Sequence, residues 1–280
     1  MQKMKNVLTL IIITIFIQDI LMAKVEQRIV GGKVANIKDY PHQLCIIIKK
    51  STGATLTSFK GGAAIVSSYW ALTAAHCIDF ISKSLFKAGV VYLRGNTSVW
   101  KAEFYYRDHK IDLAYIHPNY DEGTNDYDLA LVKVIEPFNA KYEMPIKVAG
   151  KSYKYPKNAR VTVTGWGMTH NDLDDPENRL RQVELTLVDY AKCSEIYQYT
   201  QDTKFTKRML CAWEKGKDAC IYDSGGPLIH RRVLIGIVSW GMRCASDIYP
   251  GVYVNMQEFY DWIKQYERNS KVSLRIRFIT

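Results

Sequence analysis

The chain has 280 residues, 48% of them hydrophobic and 24% charged, and a formal net charge of +10. That balance excludes a low-complexity or disordered polymer, while the length accommodates one large domain or two small ones. The positive charge bears on solubility and on acidic partners or glycans, but assigns no chemistry.

Lys3 and Lys5 precede an apolar run from Val7 to Ile17, and the small residue Ala23 follows. This three-part layout predicts a secretory signal peptide over residues 1–23, hence a secreted, extracellular protein. The run is too short to cross about 30 Å of hydrocarbon, and no second stretch is long enough, so no membrane span is expected. Export puts the six cysteines in an oxidising compartment, where three disulfides are expected, with the pairing left open. No Cys-x-x-Cys or His-x-x-x-His pair begins a metal site, and no carboxylate-rich calcium loop lies between Arg94 and His109, so no metal or other cofactor is expected.

From Tyr40 to Val254 short apolar or alternating runs alternate with turn residues. "LCIII", "GAAIVSS", "VVYLRG", "LALVKV", "RVTVTGWG" and "LIGIVSW" read as strands of four to eight residues. Many short strands at this spacing predict an all-β sandwich or barrel. Helical periodicity enters near the end, where Met256, Phe259, Ile263 and Tyr266 recur at steps of three or four. A basic tail, "KVSLRIRFIT", follows; its sequence fits either a disordered end or an extra strand. Asn96-Thr97-Ser98 is an N-glycosylation sequon on what reads as an exposed turn.

Five motifs carry the chemistry: "RIVGG" from Arg28, "ALTAAHC" ending at Cys77, "NDYDLALVK" around Asp128, "TGWG" at Gly165, and "DSGGP" at Ser224. A serine hydroxyl becomes nucleophilic only beside a base, and an imidazole held by a buried carboxylate is such a base. In this order and spacing the motifs resemble the chymotrypsin/trypsin family of serine proteases from about Ile29 to Arg268. The resemblance implies two packed six-stranded antiparallel β-barrels with a C-terminal helix and an active site in the cleft between the barrels. It divides the chain into a signal peptide (1–23), an activation propeptide (24–28), a protease domain (29–268) and the basic tail (269–280).

Carried over residue by residue, the resemblance makes Ser224 the nucleophile, His76 the base and then acid, and Asp128 the carboxylate that orients the ring. Asp218 would lie at the floor of the primary specificity pocket, Gly241 and Gly251 on its walls, and Ser239 beside the triad carboxylate. Such a pocket favours Arg or Lys by charge-assisted hydrogen bonding. Cleavage after Arg28 would free the ammonium of Ile29 to pair with Asp223. The partners implied are protein or peptide substrates carrying Arg or Lys, an activating trypsin-like protease and protease inhibitors; no nucleic acid is implied. The family pattern pairs Cys193 with Cys211 and Cys220 with Cys244. Lys60 stands where the family has the partner of Cys77, and Cys45, on the preceding strand, is expected to replace it.

Two further departures bear on activity. Tyr222 replaces the glycine whose N–H, with that of Ser224, forms the oxyanion hole. Either the tyrosine accepts a glycine-like backbone at about 1–3 kcal/mol, or the Ile221–Tyr222 peptide flips its carbonyl into the hole. Loss of one donor costs on the order of 10²–10³ in turnover. The expectation is a weakened endopeptidase; the alternative is an inactive paralogue acting as a binding or decoy protein. Arg243, before Cys244, either covers the pocket entrance, reaches Asp218, or points to solvent.

Overall fold

A computed structural model describes residues 31–52, 54–168, 177–200 and 204–280. Arg28, Ile29 and the predicted signal and propeptide segments lie outside the described residues.

The first half of the chain supplies β1 (Lys33–Val34), β2 (Gln43–Thr52), β3 (Ala54–Ile65), β4 (Trp70–Thr73), β5 (Val91–Gly95), β6 (Arg107–Ile116) and β7 (Ala130–Val134). Two short helices, α1 (Ala75–Asp79) and α2 (Lys83–Lys87), interrupt it after β4. β2 to β7 close into an antiparallel barrel in the order β2-β3-β4-β7-β6-β5. Alternation decides what fills it: Leu44, Ile46 and Ile48 of β2 face the barrel core with Ile65, Leu72, Leu93 and Leu131. Cys45 and Ile47, one residue out of phase, join Phe59, Trp100, Trp166 and Leu180 in a separate cluster.

The second half supplies β8 (Lys147–Ala149), β9 (Arg160–Gly165), β10 (Arg181–Val188), α3 (Tyr190–Tyr197), β11 (Met209–Trp213), β12 (Pro227–His230), β13 (Val233–Trp240) and β14 (Gly251–Asn255). β9 to β14 form the second closed barrel, because β12 pairs with both β9 and β13. Val161, Val163, Val183, Leu185, Leu228, Ile235 and Tyr253 pack inside it. Each fully buried aliphatic side chain contributes about 1.5–3 kcal/mol by leaving water.

The terminal helix α4 runs from Tyr260 to Ser270, so Met256 and Phe259, although in phase with it, belong to the preceding turn. α4 returns to the first barrel, where Trp262 stacks on Tyr115 with ring centroids 5.9 Å apart and Tyr266 meets Trp70 edge-on. The tail docks: Leu274 and Ile276 are buried, and β15 (Phe278–Ile279) pairs in parallel with β8. Among the described residues no helix is long and apolar enough to cross a membrane.

Candidate active site

β4 ends at Thr73, and the chain turns through Ala74 into α1, which carries His76 in its first turn. Asp128 stands two residues before β7 and is 1% exposed. One of its oxygens accepts from the His76 backbone N–H at 2.9 Å; the other accepts from His76 Nδ1 at 2.8 Å and from the Ser239 hydroxyl at 2.6 Å. Three donors fix the carboxylate, and the carboxylate fixes the ring with its proton on Nδ1, leaving Nε2 as the acceptor. Burial opposes charging of this ring, but Cys77 and Asp128 outweigh it and raise the imidazole pKa above its usual value.

Ser224 reaches the same place from the second barrel. A turn closes where the Asp223 N–H donates to the Cys220 carbonyl at 2.9 Å, and the Ser224 carbonyl accepts from Gly62 of β3 at 2.8 Å. The Ser224 loop is therefore anchored on both barrels. Gly225 allows the close approach: its φ is 82°, and a Cβ there would collide with Thr73 Oγ1 and the Gly62 carbonyl. No hydrogen bond joins the Ser224 hydroxyl to His76; instead Nε2 meets the Cys77 thiol at 3.6 Å. Catalytic contacts of this kind commonly tighten only when substrate fills the cleft.

Tyr222 has φ 74°, the glycine-like alternative. It occupies the third position of the Cys220–Asp223 turn, which positive φ there makes type II. The Ile221 carbonyl accepts from the Met168 N–H at 2.7 Å. In a trans peptide the carbonyl and the following N–H point oppositely, so the Tyr222 N–H faces away from Met168. The tyrosine ring meets Phe59 edge-on, centroids 6.0 Å apart, against the aromatic cluster that also holds Trp100 and Trp166.

Beside Ser224 lies a cavity of about 250 Å³ walled by Gly241, Gly251, Tyr253 and the Cys220–Cys244 disulfide. Asp218 lies in it, 5% exposed, with one oxygen accepting from the Ala245 N–H at 3.0 Å. Burial raises its pKa to about 7. A Cβ on Gly251 would come within 2.8 Å of the other carboxylate oxygen, so the missing side chain keeps that oxygen open. Arg243 is exposed on the cavity wall and, among the described residues, makes no ion pair with Asp218. Sequence reading missed the buried Tyr253 hydroxyl, which has no hydrogen-bond partner among the described residues. Its residue type in "GVYV" was visible, but not that a strand would aim it at this cavity.

Asp223 is 1% exposed and accepts from the Gly167 N–H at 2.8 Å and the Cys220 N–H at 2.9 Å. Burial raises its pKa to about 7. The expected cationic partner, Ile29, falls outside the described residues.

Two disulfides form, Cys193–Cys211 between α3 and β11, and Cys220–Cys244 beside the cavity. The expected third does not: Cys45 and Cys77 are separate buried thiols. β2 and β3 do form a hairpin, but strand parity turns Cys45 out of the barrel core against which Cys77 packs. The sequon turn is also less open than expected. Asn96 is half-buried, its side-chain oxygen accepts from the Tyr142 N–H, and the Ser98 hydroxyl accepts from the Ile37 N–H.

The chain matches the family model described as Trypsin over residues 29–263. It is 35% identical over 234 residues to a trypsin of Simulium vittatum, covering 82% of this chain and 90% of that one. A trypsin of Phaedon cochleariae is 36% identical over 242 residues, 85% of this chain and 88% of its own. Human testisin is 31% identical over 262 residues, covering 89% and 81%. Two barrels meeting at a histidine, a buried aspartate and a loop serine are what that likeness requires, and the chain belongs to the trypsin family of serine endopeptidases.

Proposed function

We propose that the protein is exported as an inactive precursor and, once cut after Arg28, hydrolyses peptide bonds on the carboxyl side of Arg and Lys. The observation that carries this reading is Asp218, a buried carboxylate in the cavity that opens beside Ser224. A long cationic side chain entering the cavity brings its scissile carbonyl to the serine. His76 Nε2 takes the hydroxyl proton as Ser224 attacks, Asp128 stabilises the imidazolium, and the proton passes to the leaving amine. Water then attacks the acyl-enzyme by the same route.

The N–H groups of Tyr222 and Ser224 hold the developing oxyanion. The bond from Met168 to the Ile221 carbonyl supports this role, since it keeps that carbonyl out of the hole. Asp223 supports the activation step: a buried carboxylate needs a cation, and the Ile29 ammonium freed by cleavage is the one the family uses. The partners are Arg- or Lys-containing proteins, an activating protease of like specificity, and inhibitors that fill the cleft.

The test is cleavage of the purified precursor after Arg28, followed by assay on Arg, Lys and Phe peptide substrates and by labelling with a fluorophosphonate. Turnover of Arg and Lys substrates that Asp218→Ser abolishes is expected. Absence of both turnover and labelling would overturn the catalytic reading and leave a binding protein.

A further inference from the structure

At the end of β12 remote from Ser224, cations gather on one edge of the second barrel. β8 lies between β13 and β15 and runs parallel to both, with Lys147 paired to Val233 and Val148 paired to Phe278. Arg277 is thus level with Lys147, about 4.8 Å away across the sheet, and Arg232 stands one residue short of it on the other side. Arg231, Arg232 and Lys147 line one cleft of about 430 Å³, where Asp39 is the single acidic residue. Lys154 lies in sequence between Tyr153 and Tyr155, whose rings pack on His230 next to Arg231. All five cations are exposed, and among the described residues none has an ion pair.

Like charges side by side on a sheet are destabilising, and this row keeps them unpaired. The turn between β12 and β13 adds backbone strain. His230 and Val233 flank a two-residue loop whose residues, Arg231 and Arg232, have φ of 47° and 64°. That geometry favours Asn-Gly, so nothing in the hairpin itself calls for two arginines.

We propose that this row is a docking surface for a linear sulfated polysaccharide. Guanidinium forks match pairs of sulfate oxygens, and Arg232, Lys147 and Arg277 follow one another across the starts of β13, β8 and β15, as a chain of repeating anions would meet them. The two disulfides belong to an oxidising compartment, where sulfated glycans are common polyanions and nucleic acids are not. The surface is separate from the cavity holding Asp218, and glycan binding is measured without reference to hydrolysis.

The test measures binding of the full chain to a heparin oligosaccharide from about 50 to 300 mM NaCl. Arg231→Asn/Arg232→Gly suits the turn, so its Tm should equal or exceed that of the parent while affinity falls at least about tenfold. The slope of log affinity against log salt should drop by about one to two for the two charges removed. Lys147→Gln/Arg277→Gln should show a similar loss by a route that leaves the turn intact. Lys83→Gln/Lys87→Gln on α2 removes the same charge elsewhere and should stay within about twofold of the parent. Equal losses in all three pairs, or none in the first two, would overturn the proposal. So would tighter binding of duplex DNA or phosphatidylserine vesicles at the same ionic strength.

Discussion

Replacing Tyr222 by glycine and, separately, by alanine divides its backbone cost from its ring contacts. At φ 74° a Cβ costs about 1–2 kcal/mol relative to glycine, less the 0.5–1 kcal/mol or so that glycine loses in unfolded-state entropy. The edge-on contact with Phe59 returns about 0.5–1.5 kcal/mol, and both variants forfeit it. Tyr222→Ala keeps the strain and loses the ring, so it should be destabilised by about 0.5–1.5 kcal/mol. Tyr222→Gly should lie close to the parent and melt about 2–4 °C above the alanine variant. In activated protein its kcat should stay within about threefold of the parent, because the Ile221 carbonyl is already held by Met168 and the donor needs no rescue. Thermal unfolding and steady-state kinetics on an Arg substrate read both effects. A gain of about 100-fold or more in kcat on Tyr222→Gly would refute the reasoning, since it would mean that tyrosine costs the hole a donor.

Three further outcomes are expected. Benzamidine, an aromatic amidinium, should bind with an affinity that falls about tenfold per pH unit below about 7 and is flat above, because it needs Asp218 ionised; Asp218→Asn should remove this dependence. Asp223 has its folded pKa raised from 3.8 to about 7, so the stability it allows is present below pH 4 and lost as pH rises through 7. In the uncleaved chain Asp223→Asn should therefore raise Tm at about pH 8 relative to parent and give little gain at about pH 4; an equal gain at both would contradict a buried, unneutralised carboxylate. Unfolded without reductant, the chain should yield two thiols to Ellman's reagent, Cys45 and Cys77, and a count of zero would mean that they bridge.

Much of this site was legible because short motifs report local chemistry. "ALTAAHC", "YDLA" and "DSGGP" mark residues whose neighbours in sequence also support them in space, and the Asp128 contacts to His76 and Ser239 follow the family resemblance. What sequence left open depends on rotation about single bonds and on parity. Whether Tyr222 yields or its peptide flips is decided by a bond from Met168, 54 residues earlier in the chain. The pairing of Cys45 with Cys77 is expected from the neighbouring strands, yet one step of alternation along β2 separates them. The tail's sequence fits a disordered end as well as a strand, because so short a run names no partner, and the three residues of β8 are too few to signal a strand.

Both disulfides belong to the second barrel, and the first has its cysteines free. The N-terminal half can then complete its covalent structure as it emerges during synthesis, without an oxidant or an isomerase, while the C-terminal half cannot. A mild reductant should loosen the walls of the Asp218 cavity before it disturbs the His76–Asp128 pair.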